Sequence, residues 1–218
     1  MADDGEIARR LLAAGLLHRP DLTPEGPPRV GPFEVLRVLS RGPRAEVLLA
    51  VAPPDGPVAL KVPAGARRAG EDGEWKREVA ALTRCAGPGV PRLVGSGTAN
   101  GRPYLATEFV GARTLTGLAL VDLVAAVEAA ARACDRVHAA GLVHRAISPE
   151  HVLLGDGLPL TAWLTGLGQS VPIGERAQPD DQGGGLKVVR LASTAPEVLS
   201  GEPADPRNDV YALGALLH

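Results

Sequence analysis

Cysteine is scarce in this sequence, which contains only Cys85 and Cys134 among its 218 residues. Two cysteines outside any recognisable motif are too few for a disulfide framework or a zinc site, and they fit a reducing compartment best. The sequence also lacks a signal peptide and any apolar run long enough to span a bilayer. We therefore expect a cytoplasmic protein with no membrane segment.

An excess of basic charge is missing as well, since 23 lysines and arginines face 25 aspartates and glutamates. Proteins that bind nucleic acid usually carry a basic surface, so the net charge of -2 gives no reason to expect such a partner. Only three lysines occur, whereas alanine, glycine, proline and arginine are abundant, a composition typical of high-GC bacteria. With 45% hydrophobic residues, the chain can form a soluble domain with a substantial core.

The chain divides by pattern into an N-terminal stretch and a longer body. Apolar residues at helical spacing predict a helix at 6–17, and the Pro- and Gly-rich segment 23–32 predicts a linker. An Ala-rich run predicts a long helix at 120–140, and the polar segment 174–185 predicts a mobile loop. Short apolar runs separated by Gly and Pro predict three strands, at 33–39, 47–51 and 58–62.

The segment HRAISPEHVLL at residues 144–154 resembles the catalytic loop of protein kinases, H-R-D-[LI]-K-P-E-N-[VL]-L-[LI]. Ala146 stands where this family has the Asp that accepts the substrate hydroxyl proton. Ser148 replaces the Lys of serine/threonine kinases, and His151 replaces the Asn that binds Mg²⁺. The metal-binding Asp of the D-F-G motif falls at Gly166, because the Leu-Thr pair before it copies the usual lead-in.

Further segments resemble kinase motifs in the family's order. VALK at 58–61 resembles the third strand, where Lys61 would reach the α- and β-phosphates and pair with Glu78 on the next helix. YLATEFV at 104–110 resembles the strand that enters the hinge, with Thr107 as gatekeeper and Glu108 and Val110 beside the adenine pocket. APE at 195–197 and DVYALG at 209–214 complete the set.

Positions that hold a kinase fold together are retained by the same resemblance. Asp209 stands where the family bonds the backbone of the catalytic loop. The regulatory spine falls at Leu82, Leu93, His144 and Leu167. The residues that sandwich the adenine ring fall at Val47, Ala59 and Leu153.

The phosphate-handling parts are eroded. The Gly-rich loop should lie at 40–46, where only Gly42 remains of three glycines and Pro43 lacks an N–H donor. General-base catalysis contributes roughly 10²–10⁴-fold, and the resemblance places both metal ligands among the replaced residues. Mg²⁺ prefers oxygen donors, so Gly166 and His151 argue against it and the expected metal site is none.

The resemblance implies an α+β, two-lobed fold. It has a small antiparallel-sheet lobe with one main helix, and a mostly helical large lobe. We expect an N-terminal helix and linker at 1–30, the small lobe and hinge at 31–110, and an incomplete large lobe at 111–218. His218 falls inside the family's central large-lobe helix, so the chain is either a fragment of a longer product or a truncated lobe.

The resulting interpretation is a pseudokinase that regulates or scaffolds protein partners, such as an active kinase or its substrate, with ATP as the candidate ligand. Lys61 either contacts that nucleotide or pairs with Glu78 for structure alone. One alternative is a weak serine/threonine kinase whose missing acid is replaced by another carboxylate, such as Asp156. Another is a decayed paralogue without function.

Overall fold

The computed structural model describes residues 28–52, 54, 56–64, 71–155, 160–176 and 193–217. Its described residues group into two compact units. The sheet unit comprises the residues before position 68 together with Leu93–Phe109, and the helical unit comprises Arg68–Arg92 and Val110–His218. The boundaries at 30 and 110 expected from the sequence stay predictions. The helix predicted at 6–17 lies outside the described residues.

Within its described residues, the sheet unit contains six antiparallel strands in the order β1-β2-β3-β4-β6-β5. The strands are β1 (Arg29–Val30), β2 (Phe33–Arg41), β3 (Ala45–Ala52), β4 (Gly56–Pro63), β5 (Leu93–Ala99) and β6 (Arg102–Glu108). The three strands predicted at 33–39, 47–51 and 58–62 are confirmed as β2, β3 and β4. The linker predicted at 23–32 does not extend to its predicted end, because Arg29–Val30 form strand β1, which pairs with β2.

One face of this sheet forms the core of the unit. Alternate residues of the strands point to the same face, so every second apolar residue can be buried there. Phe33 and Tyr104 pack edge to face over this core, with ring centroids 5.7 Å apart. The buried cluster consists of Phe33, Leu48, Ala50, Ala52, Val58, Leu60 and Ala106.

The described part of the helical unit contains four helices: α1 (Glu71–Arg84), α2 (Leu120–Ala139), α3 (Pro196–Leu199) and α4 (Pro206–Ala215). The helix predicted at 120–140 is confirmed as α2. Its buried face is made largely of small residues, which lets neighbouring backbone approach closely: Ala126, Val127, Ala130, Ala133, Cys134 and Val137. Asp205 caps α4, because its carboxylate accepts from the Arg207 amide and Asn208 Oδ1 accepts from the Asp205 amide.

Short strands and turns complete the helical unit. β7 (Leu142–Val143) pairs with β10 (Val171–Pro172), and β8 (Val152–Leu154) pairs with β9 (Ala162–Leu164). Two single 3₁₀ turns, Pro149–His151 and Leu167–Gln169, follow the 144–148 loop and Gly166. The part of the segment predicted to be mobile that follows residue 176 lies outside the described residues. In the described part of the chain, no helix is long and apolar enough to cross a membrane.

Candidate functional site

Four residues expected at a nucleotide site share one face of the sheet. Val47 of β3 lies opposite Lys61 of β4, and Ala59 of β4 lies opposite Thr107 of β6. Directly opposed residues in antiparallel strands project to the same face, and so do residues two apart in one strand. All four side chains are half-buried, on the face opposite the Leu48 and Leu60 core. The strand register therefore brings these four side chains together on one face, which the sequence alone could not show.

The other expected nucleotide residues are placed differently. Glu108 lies opposite Val58, on the core side of the sheet, so any contact from Glu108 to an adenine ring would have to use its backbone. Val110 and Leu153 belong to the helical unit, where Leu153 pairs with Trp163 between β8 and β9. Lys61 belongs to the sheet unit and Glu78 to the helical unit, and their ion pair stays a prediction.

The segment expected to be the Gly-rich loop is a tight hairpin. β2 ends at Arg41 and β3 begins at Ala45, and the Gly42 amide donates to the Ala45 carbonyl at 2.9 Å. Pro43 has no amide proton. The turn thus uses the Gly42 donor for its own closure, and this leaves few N–H groups to face a phosphate.

Glu78 on α1 is buried against the 3₁₀ turn that contains Gly168. It is 5% exposed, and a β-carbon at position 168 would lie 3.1 Å from its Oε2. Arg77 Nε donates to the Gly168 carbonyl at 3.4 Å. A side chain at 168 would collide with α1, so glycine permits this close packing. Glu78 therefore packs against the segment assigned to the D-F-G motif.

Asp209 fixes the backbone of the 144–148 loop. Its carboxylate is fully buried and accepts from the amides of His144 at 2.7 Å and Arg145 at 2.9 Å. Arg145 has a φ of +62°, a left-handed conformation that costs a non-glycine residue roughly 1–2 kcal/mol. The two hydrogen bonds to a buried charge stabilise that conformation. The role expected for Asp209 is confirmed.

His144 is a fully buried, neutral imidazole. Its Nε2 donates to the Thr165 carbonyl at 2.9 Å, and its Nδ1 accepts from the Ala146 amide at 3.2 Å. Burial away from water lowers the pKa of His144 to about 4, an effect that the nearby Asp209 charge only partly offsets. Leu82 and Leu167, two other expected spine residues of the helical unit, are buried at 4% and 0% exposure.

His151 binds the loop that contains the other replaced residues. A carbonyl oxygen can only accept, so His151 Nδ1 carries a proton and donates to the Ala146 carbonyl at 2.6 Å. The buried Ser148 hydroxyl lies 3.2 Å from the same nitrogen. Positions 146, 148 and 151, where the family has a base, a cation and a metal ligand, here form a local hydrogen-bonded group.

The His151 ring also fills the space beside Gly166. Gly166 has a φ of +79°, and a β-carbon on it would lie 2.6 Å from Cδ2 and 2.7 Å from Nε2 of His151. Thr165 anchors this contact, because its amide donates to the His151 carbonyl at 2.9 Å. The two positions assigned to metal ligands are therefore neighbours, but an aspartate at 166 could not fit while this ring keeps its place.

The sequence analysis did not predict the polar group formed by Cys134, His138 and Asp209 between α2 and α4. Cys134 Sγ and His138 Nε2 lie 3.3 Å apart, and Nε2 lies 2.9 Å from Oδ2 of Asp209. Burial and the Asp209 charge raise the pKa of the Cys134 thiol. The Cys-x-x-x-His spacing on a helix was visible in the sequence, because residues four apart share a helix face.

Comparison with known proteins gives the family. Residues 33–218 match the family model described as "Protein tyrosine and serine/threonine kinase". The DNA damage-responsive serine/threonine-protein kinase RqkA of Deinococcus radiodurans is 33% identical over 214 residues, which cover 90% of this chain and 30% of the relative. The probable serine/threonine-protein kinase PkwA of Thermomonospora curvata is 28% identical over 212 residues, with 90% and 27% coverage. The chain thus spans about 30% of the length of these relatives.

Similarity to a solved structure supports the same family assignment. The kinase domain of Mycobacterium tuberculosis PknI superposes with a TM-score of 0.64 at 25% sequence identity, covering 87% of this chain and 74% of that one. The fold expected from the motifs is therefore confirmed as kinase-like. The chain belongs to the protein tyrosine and serine/threonine kinase family.

Proposed function

We propose that this chain is a pseudokinase, a cytoplasmic kinase-family module that has lost phosphoryl transfer and acts as a regulator or scaffold. The observation that carries the proposal is the contact between His151 and Gly166. In the family these positions supply the metal ligands for ATP chemistry. Here one has no side chain, and the imidazole from the other occupies its space.

Mg²⁺ does not fit the residues at this place. It takes oxygen donors at about 2.0–2.1 Å in near-octahedral geometry, whereas His151 offers nitrogen and Gly166 offers no side-chain ligand. Nδ1 of His151 is already bonded to the Ala146 carbonyl. Asp156, the carboxylate considered as a replacement acid, lies outside the described residues.

ATP without a productive metal remains compatible with the sheet unit. Val47 and Ala59 would contact the adenine ring, Thr107 would border it, and Lys61 would bind a phosphate, all from one face of the sheet. Bound nucleotide would then act as a structural ligand that stabilises the form presented to a protein partner. An active kinase or a kinase substrate is the class of partner that the family favours.

Thermal unfolding with excess ATP, in EDTA and in Mg²⁺, tests this proposal. At about one hundred times Kd, a ligand of the folded state adds roughly 2.7 kcal/mol, which raises the midpoint by several degrees. We expect an equal rise in EDTA and in Mg²⁺ that disappears in Lys61→Ala. Lys76→Ala is the matched control, because Lys76 is an exposed lysine on α1.

The outcome of this unfolding experiment distinguishes the pseudokinase from the alternative functions. A rise that requires Mg²⁺, together with Lys61-dependent label transfer to a protein, would refute the pseudokinase and identify a weak serine/threonine kinase. No rise in a folded protein would remove the nucleotide and leave an interaction scaffold. A product that stays insoluble with every ligand would favour a decayed paralogue.

A further inference from the structure

A thiol, an imidazole and a carboxylate converge between α2 and α4. Cys134 and His138 lie one turn apart on α2, and Asp209 reaches them from α4. Their three ligand atoms lie within 4.8 Å of one another. Cys134 and Asp209 are buried, whereas the His138 side chain is 16% exposed and gives the group an edge to solvent.

The separations of these atoms are close to those in a tetrahedral zinc site. Zinc lies about 2.3 Å from sulfur and about 2.0–2.1 Å from nitrogen and oxygen, which places sulfur about 3.5 Å from either atom and nitrogen about 3.3 Å from oxygen. The observed distances are 3.3 Å for Sγ to Nε2, 3.8 Å for Sγ to Oδ2 and 2.9 Å for Nε2 to Oδ2. Each differs from the tetrahedral value by about 0.4 Å or less.

We propose that Cys134, His138 and Asp209 bind a divalent cation of the zinc class. The thiolate and the carboxylate would balance its two charges, so the buried site would be neutral. A water molecule can take the fourth position at the exposed edge of His138. Thiolate and imidazole ligands select this class of ion over Mg²⁺, so the site is distinct from the kinase metal position and does not depend on the proposed function.

Binding of the metal ion would release one proton from the site. The Cys134 thiol, which now donates toward Asp209 Oδ2, loses its proton to solvent. Metal binding requires the ring proton of His138 to lie on Nδ1, so that the Nε2 lone pair can act as a ligand. Asp209 keeps its hydrogen bonds from the His144 and Arg145 amides, and these orient it as a ligand. The ion would therefore link α2 and α4 to the catalytic-loop backbone.

Titration of the metal-free chain with Co²⁺, in the presence of a non-thiol reductant, tests the site. Cobalt bound by a thiolate shows sulfur-to-metal charge-transfer absorption, and tetrahedral cobalt shows visible bands. We expect one Co²⁺ per chain with both signatures, displaced by stoichiometric Zn²⁺. In Cys134→Ser the charge-transfer band should vanish and zinc affinity should fall more than about 100-fold, beyond the 10–100-fold typical of outer partners.

Cys85→Ser is the matched control, because Cys85 is the other buried free cysteine. It should keep the full absorption. If Cys134→Ser does not fold, His138→Gln should still lose the tetrahedral spectrum while circular dichroism shows a folded chain. A folded wild-type chain without a charge-transfer band would overturn the proposal, and so would a band that survives Cys134→Ser but is lost in Cys85→Ser.

Discussion

At the scale of single residues, the replacements at Gly166 and His151 are linked by a direct contact. The sequence showed two family ligands replaced at separate positions, and the structure places the second residue's ring against the first residue's backbone. Restoring the family's aspartate at 166 alone would therefore create a steric conflict with the His151 ring instead of half a metal site. The sequence predicted both substitutions but not their contact, because the fold of β8 and β9 brings the two positions together.

Gly166→Ala should destabilise the protein more than Gly174→Ala does. Both glycines have left-handed backbone, at φ +79° and +83°, so both variants bear a conformational cost of roughly 1–2 kcal/mol. Only position 166 adds a collision, since nothing lies within 4 Å of a β-carbon at 174. Urea unfolding should show at least about 1 kcal/mol of additional loss in Gly166→Ala. In a His151→Ala background this difference should disappear, and equal losses in the wild-type background would contradict the packing described.

The α2 helix shows what governs an element. Its Ala-rich composition predicted a helix from the sequence, and the helix ends within one residue of the predicted position. The sequence did not show which face of the helix is buried, because alanines on both faces give little hydrophobic contrast. The structure shows why they are small: Ala133 packs so closely on Gly89 that a β-carbon at 89 would lie 2.7 Å from the Ala133 β-carbon.

Ala133→Leu should therefore be costly, while Ala125→Leu should not. Ala133 is 1% exposed, and overpacking a filled core costs typically 1–3 kcal/mol. Ala125 lies on the exposed side of the same helix, where the same substitution should change stability by less than about 0.5 kcal/mol. Denaturant unfolding of the two variants measures the difference. Similar effects at both positions would show that the α2 face has room to adjust.

At the scale of the whole molecule, each unit has its own buried set, and the burial of His144 connects folding to pH. The folded pKa of His144 is about 4, against 6.5 for the exposed imidazole. Between these values the unfolded chain binds a proton that the folded chain does not. Stability must therefore fall as pH drops from about 6.5 towards 4, by roughly 3 kcal/mol from this group.

Denaturant unfolding between pH 4 and 8 checks this dependence. Near pH 5.5 the free energy of unfolding should rise by about 1.2 kcal/mol per pH unit on account of His144, in addition to other groups. His144→Gln keeps a donor for the Thr165 carbonyl but cannot titrate, so its curve should be shallower by that amount. Parallel curves for the two proteins would show that His144 does not carry the acid sensitivity.

The sequence by itself determined the resemblance to the family, the strands β2, β3 and β4, the helix α2, and the replacement of the residues with which the family handles metal and proton. These features depend on residue identity and local periodicity, which a linear pattern records. Only the tertiary structure decided which residues share a surface: the strand register aligned Val47, Ala59, Lys61 and Thr107 on one face. It also set the His151 ring beside Gly166, and it joined His138 to Asp209 from 71 positions away. Such contacts arise from the path of the whole backbone, because packing unites residues that are distant along the chain.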